Sequence, residues 1–143
     1  MSSSNPIAYC IDVDEEHRAK LKSSLQKRGY NSRFFSDGLR LLRYVNGDGA
    51  KFKPSLVIID LLVSGVGPFD LAKRLTSNKW SDKVPVILIA KTFGPEDRAE
   101  AQASGAISCF KKPVDLATIL AAVEEKKRRI AANEAAVNIH FRK

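Results

Sequence analysis

Segments with the character of strands and segments with the character of helices alternate five times along this chain of 143 residues. The strand-like segments are short apolar runs such as residues 56–59, and the helix-like segments carry apolar residues four apart, such as Leu21 and Leu25. Consecutive strands joined by a helix lie parallel, because the connection has to cross over the sheet. The alternation therefore predicts an α/β fold in which a five-stranded parallel sheet carries five helices on its two faces.

Three charged side chains stand where predicted strands end. Asp60 directly follows the apolar run of residues 56–59, Asp12 directly follows the first strand-like run, and Lys112 stands shortly after the last one. In open α/β sheets, ligands bind at the edge formed by the carboxyl ends of the strands. We therefore expect two carboxylates and one ammonium group to share a crevice at that edge.

This combination of groups suits the transfer of a phosphoryl group to a carboxylate. Asp60 would be the nucleophile that forms an aspartyl phosphate, and Lys112 would neutralise the phosphoryl oxygens. Asp12 and Asp60 would hold Mg²⁺, which keeps several waters and takes only one or two carboxylates besides phosphate oxygens. The alternative is that each aspartate merely ends a strand and starts a turn. For either acid alone we favour that alternative, whereas the three residues together favour the functional interpretation.

The composition is that of a globular domain. The chain is 44% hydrophobic, and its length leaves room for one domain with a proper core rather than two. No apolar run approaches the roughly 20 residues of a membrane span. The segment Met1–Pro6 lacks the basic and apolar regions of a signal peptide, so a cytoplasmic location is the expectation.

Positive charge is concentrated near the C-terminus. The net charge is +8, and Lys or Arg occupies positions 126–129 and 142–143. A basic surface of this kind can attract nucleic acid or anionic lipid. Alternatively, the cations complement the dipole of a long last helix and stay solvated. We favour the second interpretation, because no aromatic residues are interleaved for stacking on bases.

The last helix is predicted to begin after Asp115 and to run past the domain. Positions 127, 130, 134 and 137 continue a spacing of three and four, although only half of them are apolar. A full coiled coil is therefore not expected. The segment Val137–Lys143 alternates apolar and polar residues, which is typical of a strand or of a frayed end.

With these strand ends in place, the chain resembles the response-regulator receiver domain, the CheY-like module of two-component signalling. The resemblance spans nearly the whole chain and is strongest in Leu56–Asp60 and in Gly105–Pro113, which contains Lys112. It implies a flavodoxin-like (CheY-like) sheet with strand order 2-1-3-4-5. It also implies a receiver domain over residues 1–127, with residues 128–143 as a basic helical extension or the start of a linker to an output domain.

The resemblance also implies a function. A receiver is a signalling module rather than an enzyme, and it would accept a phosphoryl group on Asp60 with Mg²⁺ and a phosphate contact from Lys112. The implied partners are a histidine kinase or phosphotransfer protein and a downstream protein that docks on the fourth helix, fifth strand and fifth helix. A homodimer is a further expectation.

The chain departs from the receiver pattern at three positions that matter for metal binding and signalling. Receivers usually carry two adjacent acids after the first strand, the second being the direct metal ligand. Here Val13 takes that place after Asp12, and Asp14 would substitute if the turn shifted by one residue. Ala90 stands where the family has a Thr or Ser that contacts the phosphoryl oxygen, and Cys109 replaces a rotating aromatic residue. We therefore expect an atypical receiver that binds Mg²⁺ weakly or not at all and propagates phosphorylation differently.

Other classes of function stay open at this point. The fold could have abandoned phosphorylation and act as a pseudo-receiver that binds a protein, or its basic surface could recruit nucleic acid. An aspartyl-phosphate hydrolase of the same build is disfavoured, because the sequence has no Gly-rich phosphate loop and no second catalytic acid near Asp60.

A few chemically distinctive residues lie apart from these candidates. In the order 2-1-3-4-5, Cys10 and Cys109 would lie about 14 Å apart, so both are predicted to be free thiols in the core. His17 and His140 are isolated in the sequence and are predicted to be solvated or packing residues. Trp80, in a polar loop, would mark a contact surface or anchor the loop.

Overall fold

The computed structural model describes residues 5–77 and 84–141, with side chains described as far as residue 136. Trp80 and the side chain of His140 lie outside this description. The strands are β1 (Ile7–Ile11), β2 (Asn31–Phe34), β3 (Leu56–Asp60), β4 (Val86–Ala90) and β5 (Ser108–Lys111). The helices are α1 (Glu15–Lys27), α2 (Gly38–Asn46), α3 (Pro68–Thr76), α4 (Pro95–Ala103) and α5 (Leu116–Phe141).

The strands form one parallel sheet in the order β2-β1-β3-β4-β5, which confirms the predicted topology. Every residue of β3 and β4 is buried, as expected for central parallel strands covered by helices on both sides. The register pairs Ile11 with Ile59 and Asp60 with Ile89. The carboxyl ends of β1, β3 and β4 therefore lie nearly level at one edge of the sheet.

Two hydrophobic clusters fill the space between the sheet and its helices. One cluster joins alternate residues of the strands to α2, α3 and α4, through residues such as Leu41, Leu71 and Ala101. The other joins the opposite faces of the strands to α1 and α5, through residues such as Leu25 and Ile119. Fully burying an aliphatic side chain of this size contributes about 1.5–3 kcal/mol, so both helical layers hold the sheet firmly.

Aspartates cap three of the helices. The Oδ1 atom of Asp14 accepts hydrogen bonds from the amides of Glu16 and His17 at the start of α1. The side chain of Asp37 caps α2, and Asp115 accepts from Thr118 in the first turn of α5. These caps satisfy amides that have no partner within the helix.

Gly105 turns the chain from α4 into β5. Its φ of +91° lies in the left-handed region, and a Cβ atom there would approach the Oγ1 atom of Thr76 to 2.8 Å. A residue with a side chain would therefore meet both backbone strain and a clash.

Residues 137–141 continue α5 and do not form the strand that the alternation suggested. The helix runs without interruption from Leu116 to Phe141, so the strand prediction is wrong for these residues, while residues 142 and 143 lie outside the described residues. The alanine-rich stretch before residue 137 favours propagation of a helix already started upstream. Residues 124–136 are all exposed, which means that the helix continues beyond the packed core.

Both cysteines are free, as predicted. Burial, with a smaller effect from the charge of Asp12, raises the pKa of the Cys10 thiol far above its ordinary value. Cys109 is also buried, and burial again raises the pKa of its thiol. Both side chains are therefore protonated core residues at neutral pH. In the part of the chain that the structure covers, no helix is long and apolar enough to cross a bilayer.

Candidate functional site

Three predicted site residues meet at the carboxyl edge of the sheet. The Nζ atom of Lys112 lies 2.6 Å from Oδ1 of Asp12 and 2.6 Å from Oδ2 of Asp60. Asp12 follows β1 and Asp60 ends β3, which are neighbours in the sheet, whereas Lys112 reaches across from the far side of β4. Strand order thus assembles a cluster from residues that are 48 to 100 positions apart in sequence.

Lys112 is held in place by its backbone as well as by its side chain. Its amide donates a hydrogen bond of 2.7 Å to the carbonyl oxygen of Ala90, which continues the pairing of β5 with β4. The following peptide bond, Lys112–Pro113, is cis. The hydrogen bond to Ala90 fixes the backbone of the lysine at the edge of the sheet.

The cluster is almost completely withdrawn from water. The side chains of Asp12, Asp60 and Lys112 are 0%, 1% and 5% exposed. Burial alone would lower the pKa of Lys112, but the hydrogen bonds and negative charges of Asp12 and Asp60 outweigh it and raise that pKa above its ordinary value. Lys112 is therefore a firmly charged ammonium group between two carboxylates.

Backbone amides complete the surroundings of the Asp60 carboxylate. Oδ1 accepts a hydrogen bond of 3.0 Å from the amide of Leu62, and Oδ2 accepts one of 3.0 Å from the amide of Val13. The side chains of these two neighbours are apolar and partly open, with Val13 46% and Leu62 70% exposed. Asp60 thus has a donor directed at each of its oxygens, and we refer to the partly exposed side chains of Val13 and Leu62 as the apolar rim of the site.

Asp12 has donors at both oxygens too. Its Oδ1 accepts from the amide of Asp14 at 3.1 Å as well as from Lys112. Its Oδ2 lies 2.6 Å from Nδ1 of His17. The guanidinium of Arg18 adds a 2.9 Å hydrogen bond to the backbone oxygen of Asp12, which fixes the turn between β1 and α1.

His17 is the site residue that sequence reasoning missed. It was predicted to be a solvated or packing residue, but it is buried, contacts Asp12 directly and accepts a hydrogen bond at Nε2 from the amide of Val114. The signal was present in the spacing, since His17 stands four residues before Leu21 and eight before Leu25. That spacing puts the imidazole on the buried face of α1.

Asp14 lies beside the cluster with its side chain committed to α1. While Oδ1 caps the helix, Oδ2 lies 3.8 Å from Nζ of the exposed Lys91. The hydrogen bond from the amide of His17 is the largest of the effects that lower the pKa of Asp14, and the charges of Lys91 and Lys112 add to it. The carboxylate is therefore ionised and faces the helix amides.

The donor set does not fit a divalent cation as it stands. Two carboxylates converge, each of their four oxygens already has a protein donor, and Val13 offers no side-chain ligand. Across residues 5–77 and 84–136, no group of three or more His, Cys, Asp or Glu side chains is arranged to hold a metal ion. A cation would have to displace a hydrogen bond of the protein in order to reach either acid.

The two remaining predicted positions lie in β4 and β5. Ala90 ends β4 and is buried, with only a methyl group where a hydroxyl would be a donor. Cys109 is a buried residue of β5. Neither side chain is large enough to change its exposure by rotating.

Comparison with known proteins identifies the family of this chain. The family model described as "Response regulator receiver domain" matches residues 8–124. The chain is 27% identical to Protein PilH of Pseudomonas aeruginosa over 115 residues, which cover 77% of this chain and 88% of that protein. It is 29% identical to Sporulation initiation phosphotransferase F of Bacillus subtilis, with 79% and 88% covered.

Other relatives are longer than this chain. The match covers 50% of the transcriptional regulator RpaA of Synechocystis, at 25% identity over 87% of this chain, and 25% of the response regulator PleD of Caulobacter vibrioides, at 28% identity over 82% of this chain. In those proteins the matched region is one part of a larger molecule.

Solved structures have the same fold. The chemotaxis response regulator CheY4 of Vibrio cholerae superimposes with a TM-score of 0.70 at 20% identity, covering 85% of this chain and 98% of that one. A response regulator of Burkholderia pseudomallei, solved with a phosphorylated aspartic acid and a calcium ion, gives 0.73 at 21% identity, covering 94% and 75%.

Receiver domains are signalling modules of two-component systems rather than classical enzymes. In general they are phosphorylated on an aspartate, bind Mg²⁺ at the phosphorylation site, and interact with histidine kinases or phosphotransfer proteins and with downstream partners. The match to residues 8–124 takes in both aspartates and the lysine of the buried cluster. This chain belongs to the response regulator receiver domain family.

Proposed function

We propose that this chain is an atypical receiver that accepts a phosphoryl group on Asp60. The observation that carries the proposal is the position of the Lys112 ammonium, 2.6 Å from Asp60 and anchored on its other side by Asp12. A cation held at that point is ready to neutralise the oxygens of an incoming phosphoryl group. The proposal is also supported by the relative named as a phosphotransferase and by the neighbour solved with a phosphorylated aspartic acid.

The chemistry is an in-line displacement at phosphorus. An oxygen of Asp60 forms a new bond to phosphorus while the P–N bond of a donor phosphohistidine breaks, and the electron pair of that bond stays on the leaving ring nitrogen. A proton on the other ring nitrogen of the donor makes the leaving group neutral imidazole. Among the residues that the structure describes, only Leu62 donates a hydrogen bond to the Oδ1 atom of Asp60, so this oxygen keeps a lone pair for the attack.

Access to Asp60 requires movement of its rim. Because the Asp60 side chain is only 1% exposed, a donor reaches it only when neighbouring groups shift. Val13 and Leu62 are the neighbours whose amides bond the carboxylate and whose side chains are already partly in water. We propose that docking of a histidine kinase or phosphotransfer protein on this rim opens the site.

We further propose that Mg²⁺ binds weakly and that the signal leaves the site by an unusual route. Val13 supplies no metal ligand, while Ala90 and Cys109 supply neither a hydroxyl for the phosphoryl oxygen nor an aromatic ring that can rotate. The downstream partner is proposed to dock on α4, β5 and α5, and a homodimer is a further proposal. Residues 1–127 would form the receiver and residues 128–143 its basic extension.

Phosphate-affinity gel mobility after exposure to acetyl phosphate and MgCl₂ tests the assignment of Asp60. We expect a retarded band for the wild type that is absent in Asp60→Asn. Asp70→Asn is the matched control, because Asp70 is an exposed aspartate that pairs with Arg74 at 3.1 Å and lies outside the cluster. A band retained in Asp60→Asn, or absent from all three proteins, contradicts the proposal.

A second candidate function is a protein-binding module that works without phosphorylation. It is favoured by one observation, namely that all four oxygens of Asp12 and Asp60 already have protein donors in a buried cluster. In this case the gel shows no retarded band for the wild type at any concentration of Mg²⁺. A partner of the wild type would then also bind Asp60→Asn with unchanged affinity.

A further inference from the structure

We propose that His17 is a positioning residue whose hydrogen bond to Asp12 occupies the carboxylate oxygen that a divalent cation would need. By occupying that oxygen, His17 makes this pocket select against Mg²⁺. The inference deepens the proposed function because it concerns the same pocket, and it rests on that function only for the role of the pocket in signalling. Its evidence is the pair of contacts made by one buried imidazole, to Asp12 at 2.6 Å and to Val114 at 3.3 Å.

The contact with Val114 determines which ring nitrogen of His17 carries the proton. A backbone amide can only donate, so Nε2 of His17 must accept the hydrogen bond from Val114. A neutral imidazole with Nε2 as acceptor carries its proton on Nδ1. The 2.6 Å contact is therefore a hydrogen bond from Nδ1–H of His17 to Oδ2 of Asp12.

With both nitrogens engaged, the imidazole has a structural task rather than a chemical one. Nδ1 donates to Asp12 and Nε2 accepts from the main chain, so no lone pair is left to take a proton from a reacting group. A metal ion would need that same lone pair to be ligated by His17. The residue acts through Asp12, and it is neither a general base nor a metal ligand.

The effect on Asp12 is to occupy the oxygen that a metal would need. Oδ1 is shared by the Lys112 ammonium and the Asp14 amide, which leaves Oδ2 as the free side of the carboxylate if His17 is removed. In the folded protein that side is closed by a short hydrogen bond in a buried setting. A cation entering the pocket has to break this bond before it gains a ligand, which lowers its net affinity.

His17 also ties this arrangement to the loop between β5 and α5. Val114 stands two residues after Lys112 in the sequence, so one imidazole joins Asp12 to the segment that carries the lysine. The two groups that hold Asp12, the ammonium and the imidazole, are thereby fixed with respect to each other. The pocket keeps its geometry through hydrogen bonds of the protein alone.

Titration of the full chain with Mn²⁺, followed by paramagnetic broadening of backbone amide signals, tests this proposal. The amides of Val13, Asp14 and Leu62 report on the pocket, because each donates to Asp12 or Asp60. We expect His17→Leu to bind Mn²⁺ about tenfold more tightly than the wild type, since the metal no longer has to displace a hydrogen bond to a charged acceptor. Lys22→Ala, an exposed change on the same helix, should leave the affinity unchanged.

A conservative variant and a direct measurement keep the proposal testable if His17→Leu does not fold. His17→Asn retains a donor near the position of Nδ1 and should bind Mn²⁺ as weakly as the wild type. Long-range ¹H–¹⁵N correlation spectra of the wild-type imidazole should show the proton on Nδ1. The proposal is overturned if His17→Leu binds Mn²⁺ no more tightly than the wild type, if His17→Asn gains affinity, or if the proton resides on Nε2.

These measurements do not depend on phosphorylation. If Asp60 fails to accept a phosphoryl group while His17→Leu gains affinity for Mn²⁺, the proposed function fails and the role of His17 stands. If the retarded band is observed and the metal affinity does not respond to His17, the reverse holds.

Discussion

Ion pairs occur in two very different settings in this molecule. In the site, Lys112 lies 2.6 Å from each of two carboxylates, and all three side chains are withdrawn from water. On the outer part of α5, Glu125 pairs with Arg128 and Arg129 in a stretch where every residue is exposed. The partners are of the same chemical kind, but the solvent around them is not.

The difference shows that the distance between two charges does not by itself determine how much the pair contributes to the stability of the fold. An exposed pair is screened by water and contributes only about 0–1 kcal/mol. Removing one partner of a buried pair leaves an uncompensated charge and costs about 3–5 kcal/mol. The fold therefore depends on the few charges at the edge of the sheet and is nearly indifferent to the many on the extension of α5.

The largest expected effect is that of Lys112→Met. This change leaves Asp12 and Asp60 buried next to each other without a cation, and we expect a loss of about 3–5 kcal/mol in the free energy of unfolding. Urea denaturation followed by circular dichroism measures it, with Lys111→Met as the matched control because Lys111 is the exposed neighbour. A loss of less than about 1 kcal/mol for Lys112→Met would mean that the buried cluster behaves like a surface pair.

A second test of the same contrast is the pH dependence of the free energy of unfolding. The carboxylates of Asp12 and Asp60 raise the pKa of Lys112, so folding favours the protonated lysine. Its contribution is complete below the unfolded pKa of about 10.4 and is lost as the pH rises through the higher folded pKa. The stability difference between the wild type and Lys112→Met should thus shrink at strongly alkaline pH. A difference that stays constant up to denaturing pH contradicts this assignment.

An intermediate effect is expected for Asp115→Ala. Asp115 is exposed, but its side chain accepts hydrogen bonds from the amide and hydroxyl of Thr118 at the start of α5. Loss of such a cap costs about 1 kcal/mol. Thermal unfolding measures the change, and Asp115→Asn, which keeps a capping oxygen, should recover most of it. Equal losses in both variants would show that the cap is not the cause.

The smallest effect is expected for Glu125→Ala. It removes the glutamate that pairs with Arg128 and Arg129 on the exposed part of α5, yet the free energy of unfolding should change by no more than about 0.5 kcal/mol. The measurement is the same urea denaturation, repeated at low and high salt. A loss above about 1 kcal/mol would show that the extension of α5 is coupled to the core and would remove the contrast between the two regions.

Much of the fold and the centre of the site could be predicted from the sequence, because both follow from strand order. Once β1, β3 and β5 were placed in the sheet, Asp12, Asp60 and Lys112 had to meet at one edge. The exact ends of the strands depend on local detail. Strand β4 begins only at Val86, after Pro85, which has no amide to donate to the sheet.

Neither the role of His17 nor the end of α5 could be predicted from strand order. The imidazole stands on the first turn of α1, and its contact with Val114 depends on where the loop after β5 passes, which no local pattern encodes. At the end of the chain, alternation over seven residues was weaker than the tendency of an established helix to continue.

The length of α5 has a mechanical consequence. Val123 is the last buried residue of the helix among those whose side chains are described, and the backbone remains helical to Phe141. At about 1.5 Å per residue, this projecting rod is about 27 Å long, so a rotation of about 10° at its base carries the far end through about 5 Å. A rearrangement too slight to repack the sheet would therefore become a displacement larger than a hydrogen bond at the tip.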